Sequence, residues 1–178
     1  MGSDSETIKI LPVEEKDIPI AIELRKLLFK EMGVPDEALI DNAYDNILQL
    51  YRNEFSKGRI RHFIAYNSYK EPVAIAGALL KNDFPYYLFK PGYYGWIIDV
   101  YTKPQYRGKK ISTKLLQLTH DWLKEKGVNE AKLICGGSDA RKLYEKLGYR
   151  PTWEMSLNIS ENRTYNEIID QKVSKSSS

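Results

Sequence analysis

The sequence predicts an α/β domain built on a sheet of mixed strand direction. Three observations predict it. Apolar residues alternate in some stretches and recur at helical spacing in others, giving the coarse order β α α β β β α β α β. A hairpin signal lies early, and helical crossovers lie late. The 178 residues, 42% of them hydrophobic, suffice for one domain with a sizeable core.

The elements follow in order. Ile8, Ile10 and Val13 suggest a first strand. Residues 14–32 read as a helix with Asp17 as N-cap, Pro19 in the first turn and a broad apolar face from Ile18 to Met32, stopped by Gly33. Residues 36–57 read as a second helix with Ile40, Tyr44, Ile47, Tyr51 and Phe55 on one face, stopped by Gly58. Strands over 61–66 and 73–80 flank a polar turn, and Gly77 inside the second marks a bulge or a close approach by another group. Residues 81–95 crowd aromatics among two prolines and two glycines, which is too broken for regular structure. A strand over 93–102, a basic loop and a helix over 109–126 come next, with Gly127 as the stop. Residues 130–135 read as a strand, and Ser138 or Asp139 can cap a helix that runs to Leu147 before Gly148. Trp153, Met155, Leu157 and Ile159 alternate with polar residues as a last strand. The expected organisation is a flexible tail over 1–6, a domain over 7–160 and a partly disordered extension over 161–178.

Composition narrows the function classes. No apolar run reaches the length of a membrane span, and no secretory h-region is present. One cysteine, Cys135, allows neither an intramolecular disulfide framework nor a cysteine-rich metal site. The chain therefore reads as cytoplasmic and metal-free. A net charge of +3 is too mild to imply nucleic acid.

Local charge says more. Lys103, Arg107, Lys109, Lys110 and Lys114 cluster where a strand gives way to a helix. The first amides of a helix lack partners and point out of its positive end, so a glycine-containing loop at that junction builds an anion site. Gly108 lets the backbone approach a ligand closely.

Two segments then carry a family resemblance. Val100-Tyr101-Thr102-Lys103-Pro104-Gln105-Tyr106-Arg107-Gly108-Lys109-Lys110-Ile111 resembles the acetyl-CoA loop of the GNAT superfamily, the Gcn5-related N-acetyltransferases. Ala140-Arg141-Lys142-Leu143-Tyr144-Glu145-Lys146-Leu147-Gly148-Tyr149 resembles that family's Leu-Tyr-Glu-Lys-x-Gly-Phe signature. The order of elements agrees over about residues 7–159. Two departures stand out: Lys110 occupies the position of the loop's last Gly or Ala, and Gly137 replaces an Asn, leaving Ser138 or Asp139 to serve in its place.

The resemblance implies a single-domain, mostly antiparallel sheet flanked by about four helices, and acetyl-CoA as co-substrate. It implies that Gln105, Arg107, Gly108, Lys109, Lys110, Ser112 and Thr113 hold the coenzyme's phosphate end, and that Ser138 also contributes to binding the coenzyme. Val100 and Thr102 would pair with its pantetheine arm through their main chains, and an amide of this strand could serve as oxyanion donor. Tyr144 is the candidate general acid for the departing thiolate: a phenol near ~10 lies close to a thiol near ~8.5, so the transfer is easy. Asp99 matches an acidic position of polyamine-type members and is expected to face the acceptor amine. The acceptor is expected to be a small-molecule amine, with a protein amine or a non-catalytic acyl-CoA-binding role as alternatives. The aromatics Tyr86, Tyr87, Phe89, Tyr93, Tyr94 and Trp96 are as consistent with a pocket wall as with a homodimer contact. Cys135, expected to be a buried inert thiol, and the two histidines, His62 and His120, receive no role.

Overall fold

The structure is a computed structural model and describes residues 7–34, 42–85, 90–157 and 159. Strands β1 (Lys9–Pro12), β2 (Ile60–Tyr66), β3 (Pro72–Asn82), β4 (Tyr93–Thr102) and β5 (Ala131–Lys132) form one sheet in that spatial order. Pairing is antiparallel from β1 to β4, and β5 runs parallel to β4. With helices α1 (Ile18–Glu31), α2 (Ala43–Ser56), α3 (Ile111–Glu125) and α4 (Ser138–Lys146), the described residues give the mostly antiparallel sheet and four helices that the sequence predicts. No helix among them is long and apolar enough to cross a membrane. The chain divides into two compact units: Met1–Met32 with Asn42–Leu133, and Gly33–Asp41 with Ile134–Ser178.

In the first unit the sheet separates two layers. Ile60, Ile64 and Ile75 share one face and pack with Ile18, Ile22 and Leu24 of α1 and Tyr51 of α2. The intervening Ala65, Ala74, Ala76 and Ala78 are buried on the other face, and their small side chains let α3 lie close. There Leu115, Leu116 and Leu123 are buried, and Leu123 packs directly on the bare Cα of Gly95. This layering fixes the junction of β4 and α3 from both sides.

Several boundaries differ from the sequence reading, each for a local reason. The Asp17 carboxylate accepts a hydrogen bond from the Glu14 amide at 3.1 Å and closes a 3-10 turn over Glu15–Asp17. α1 therefore begins at Ile18, and Asp17 makes no side-chain cap to it. β5 keeps only two residues of the strand predicted over 130–135, because its register with β4 stops at Gly95↔Ala131 and Trp96↔Lys132. No strand forms over 153–159 among the described residues. Trp153 and Met155 there are 99% and 97% exposed. Alternation selects which side chains share a face, but a strand also needs a neighbour for its ladder, and among the described residues this stretch has none. The first turns of the predicted second helix, residues 36–41, lie outside the described residues, as do Tyr86, Tyr87 and Phe89.

In the second unit, α4 ends as the sequence requires. Gly148 adopts a left-handed φ of 92°. This lets the Gly148 amide donate to the Glu145 carbonyl and the Tyr149 amide to the Tyr144 carbonyl, both at 3.0 Å, so the last carbonyls are satisfied. The Tyr149 ring then packs edge-on against Tyr144, with centroids 5.7 Å apart. The Tyr-Glu-Lys-Leu-Gly-Tyr order is thus a helix-stop motif that fixes Tyr144 from behind.

Candidate active site

The basic loop is held by its neighbours before any ligand is considered. Pro104–Tyr106 forms a single 3-10 turn. The Tyr106 hydroxyl accepts from the Asn67 amide nitrogen at 2.9 Å, which ties the loop to the β2–β3 turn. Asn67 organises that turn in its own right, accepting from the Tyr69 and Glu71 amides. At the helix, Ser112 Oγ and Thr102 Oγ1 lie 2.9 Å apart, so the end of β4 is pinned to the first turn of α3. Ile111 is buried and anchors that turn to the core. By helix geometry the amides of Ile111, Ser112 and Thr113 have no acceptor within α3, and they open beside Gly108, Lys109 and Lys110.

Three of the loop's basic residues are individually placed. Lys110 is the N-cap of α3 and adopts a left-handed φ of 59°. The turn requires a left-handed residue here, which a Cβ disfavours and a glycine would adopt without strain. Arg107 is engaged: its Nε donates to the Thr102 carbonyl at 3.0 Å, and Nη2 lies 2.5 and 2.7 Å from the Glu31 carboxylate oxygens at the end of α1. Arg107 thus braces the loop against strand and helix. The Lys109 ammonium sits 5.0 Å from the Tyr106 ring centroid. Gln105 and Gly108 are exposed.

β4 carries the second part of the site. Its pairing with β3 slips by one residue, since Gly77 faces Ile98 while Ile75 faces Tyr101. Asp99 and Val100 together oppose Ala76, which is a β-bulge, and Asp99 takes a left-handed φ of 57°. Hydrogen-bond direction shows the consequence. The Gly95 amide donates away from β3, to Glu130, whereas the Lys103 amide donates toward β3, to Val73. In an unbroken strand both would point the same way. The bulge accounts for the reversal by leaving the Asp99 and Val100 amides both on the side away from β3. β5 stops at Trp96's partner, so these two N–H groups lie on a strand edge with no ladder partner among the described residues. Adjacent unpaired amides of this kind form a small anion-binding concavity.

The Asp99 side chain is not free to meet an amine. It is buried, bonded to His62 Nε2 at 2.9 Å and ion-paired with Arg25. Burial raises the carboxyl's pKa, but the His62 hydrogen bond and the charges of His62 and Arg25 outweigh it and hold the group below its ordinary value. Beyond His62 lies Tyr51, whose hydroxyl is 2.7 Å from Nδ1. Sequence reasoning assigned none of Arg25, Tyr51 and His62 to the site. One signal was present: Gly77 sits across from His62, and a Cβ there would fall 2.3 Å from the imidazole. The close approach that Gly77 predicts is made by this ring. His120, half-buried on α3, is not part of the cluster, and burial lowers its pKa.

In the second unit, Tyr144 is buried, and desolvation pushes its phenol up to about 12. It is therefore protonated throughout the physiological range. Its gap to a thiol near ~8.5 is wider than an ordinary phenol's, so a full proton transfer is harder than the sequence reading supposed. Cys135 is exposed, contrary to the buried thiol expected, because it lies in the irregular 133–137 stretch outside any packed element, with Sγ 3.5 Å from the Gly137 carbonyl. Ser138 opens α4, whose N-cap is Gly137 with no side-chain cap, so neither Ser138 nor Asp139 caps this helix. Among the described residues, no three His, Cys, Asp or Glu side chains converge as a metal site requires.

An open, mostly antiparallel sheet with a bulged β4 running into a basic loop and a helix N-terminus defines an acetyltransferase-type fold. Solved structures agree. A predicted acetyltransferase from Clostridium acetobutylicum, crystallised with acetyl-CoA, is 25% identical, with a TM-score of 0.78 over 88% of this chain and 99% of that one. A GCN5-related N-acetyltransferase from Ralstonia eutropha is 21% identical, with a TM-score of 0.76 over 86% and 99%. The aminoglycoside N-acetyltransferase AAC(6')-Iy in complex with CoA is 17% identical, with a TM-score of 0.67 over 91% and 100%. No curated protein matches the sequence. The model of the acetyltransferase (GNAT) family matches residues 23–149, and the chain belongs to that family.

Proposed function

We propose that this chain is an acetyl-CoA-dependent N-acetyltransferase that moves an acetyl group to the primary amine of a small molecule by direct attack in a ternary complex. The observation that carries the reading is the pairing of two amide clusters on one continuous segment. The amides opening α3 suit a pyrophosphate, and those of the β4 bulge suit a developing oxyanion. Between them, the free edge of Val100–Thr102 suits an extended amide-containing arm.

The chemistry follows from these parts. The neutral amine attacks the thioester carbonyl, whose electrons move onto oxygen. The Asp99 and Val100 amides stabilise that charge. On collapse the carbon–sulfur bond breaks and the thiolate takes a proton. Tyr144 is the donor in this reading: its raised pKa keeps it neutral, it hydrogen-bonds the sulfur as negative charge develops there, and the proton it passes on is replaced from water. Asp99, already ion-paired, is not the base; the amine loses its proton to water. Small-molecule acceptors are supported by neighbours of the same fold, among them a glucosamine-6-phosphate N-acetyltransferase from Arabidopsis thaliana and a complex of AAC(6')-Iy with a bisubstrate analog of CoA and acetylneamine.

The test is thiol release from acetyl-CoA over a panel of small amines, with product mass confirming the added acetyl group. Turnover with an amine, lowered in kcat but not in acetyl-CoA affinity by Tyr144→Phe, is expected. Acetyl-CoA binding without turnover of any amine or peptide would point instead to a non-catalytic acyl-CoA-binding role.

A further inference from the structure

Three side chains from three different elements converge on the bulge from the core side. Asp99 on β4 receives His62 from β2 and Arg25 from α1, and His62 in turn meets Tyr51 from α2. A strand, β3, lies between β2 and β4. His62 reaches over it only because Gly77 has no side chain: a Cβ would fall 2.3 Å from the imidazole Cδ2 and 2.5 Å from Cγ. The ring is also stacked on Tyr51, with centroids 5.2 Å apart and planes at 25°. The imidazole is thereby fixed in position and in rotation.

Hydrogen-bond logic orders the chain. An ionised carboxylate only accepts, so His62 Nε2 donates to Asp99. Tyr51 then donates to Nδ1 of a neutral ring, or accepts from it if the ring is charged. Every member has a partner, and no buried side-chain polar atom among the described residues lacks one. A polar chain in this position is costly to desolvate, and apolar residues would fill the core without that cost. What it gives that they cannot is a directional hold on one residue, and that residue is the left-handed Asp99. A non-glycine residue stays in that conformation only where its surroundings over-determine it.

We propose that His62, Tyr51 and Arg25 are positioning residues that act through Asp99, locking the β4 bulge and so aiming the Asp99 and Val100 amides at the thioester carbonyl. The proposal rests on the acetyl-CoA reading given above. It assigns the Asp99 carboxylate to holding its own main chain rather than to receiving the acceptor.

Infrared difference spectroscopy with carbonyl-labelled [1-13C]acetyl-CoA tests it without any acceptor. In the wild-type protein the bound thioester carbonyl should stretch at lower frequency than in free acetyl-CoA, reporting hydrogen bonds to oxygen. In His62→Gln, at least half of that downshift should disappear while the acetyl-CoA Kd stays within threefold. Tyr51→Phe removes one oxygen and guards against gross misfolding. It should lose a smaller part of the downshift, again at near-constant Kd. An unchanged carbonyl frequency in both variants overturns the proposal. So does a loss of frequency shift that only tracks a parallel loss of binding, since that is the signature of a general structural role. A wild type that fails to bind acetyl-CoA instead refutes the acetyl-CoA reading itself.

Discussion

Lys110→Gly isolates one point where this chain departs from the loop pattern it resembles. Lys110 caps α3 with a φ of 59°, and a side chain in the left-handed region costs about 1–2 kcal/mol. Glycine removes that cost but adds about 0.5–1 kcal/mol of chain entropy to be lost on folding. At mid-range values the net gain is about 0.5–1 kcal/mol. For a chain of this size, 1 kcal/mol moves Tm by about 2–4 °C, so the variant should melt about 1–4 °C higher. Lys110→Ala is the control: it keeps the Cβ in the left-handed region and should show no rise. The same pair separates strain from charge in ligand binding. Both variants lose the ammonium, and an exposed charge contact of up to about 1 kcal/mol corresponds to at most about fivefold in acetyl-CoA Kd at low salt, fading as salt rises. Differential scanning fluorimetry and isothermal titration calorimetry measure the two quantities. A Lys110→Gly protein that melts no higher than Lys110→Ala would refute the argument that the left-handed capping conformation strains a residue carrying a Cβ.

Other expectations follow from the same geometry. Tyr144→Phe should lower kcat with acetyl-CoA binding preserved, and wild-type kcat should show no basic limb from the phenol until pH approaches about 12; a limb near the ordinary phenol value that vanishes in Tyr144→Phe would contradict the burial argument. Asp99 has a folded pKa below its unfolded one, so it contributes stability above the unfolded value near ~3.9, and that stability is lost as pH falls through the folded value. Asp99→Asn should therefore cost about 1–3 kcal/mol at neutral pH by weakening the hold on His62 and leaving the half-buried Arg25 without its charge partner, and the deficit should shrink in acid; urea melts at a series of pH values decide it. Glu31→Gln should change stability by less than about 1 kcal/mol, because its pair with Arg107 is half-exposed, yet it should tighten acetyl-CoA binding by up to about fivefold by freeing a guanidinium beside the loop; weaker binding would show that the brace matters more than the charge. Gly77→Ala should destabilise by about 1–3 kcal/mol, because its Cβ meets both the His62 ring and the Arg61 carbonyl at 2.5 Å or less.

What could be read from the sequence, and what could not, divides along physical lines. Local rules were legible. Each helix stop required a left-handed residue, and Gly33, Gly58, Gly127 and Gly148 all take positive φ just past the ends of α1 to α4. The junction of β4, basic loop and α3 was legible because strand, glycine and helix period are written in consecutive residues. The last strand was not, because pairing depends on a neighbour that alternation cannot supply. Nor was the engagement of Arg107 with Glu31, which joins residues far apart in sequence across two elements.

The Asp99 cluster shows most clearly why such contacts are hard to read. Tyr51, His62 and Asp99 look ordinary one at a time: a tyrosine on an apolar helix face, a histidine in a strand, an acid before a loop. Their meeting depends on β2, β3 and β4 being neighbours and on the middle strand lacking a side chain at one position. Gly77 is the one visible trace, and on its own it marks either a bulge or a close approach by another group. The register identifies the filler, since His62 pairs with Gly77 and Gly77 with Ile98, the residue before Asp99. A glycine in a central strand and a lone acid one strand over are therefore best read together. The first makes a passage across the sheet, and the second shows what the passage is for. On this reading, the acid that resembles an amine-binding residue in related sequences has been turned inward, and the amides of its own bulge are left to meet the substrate.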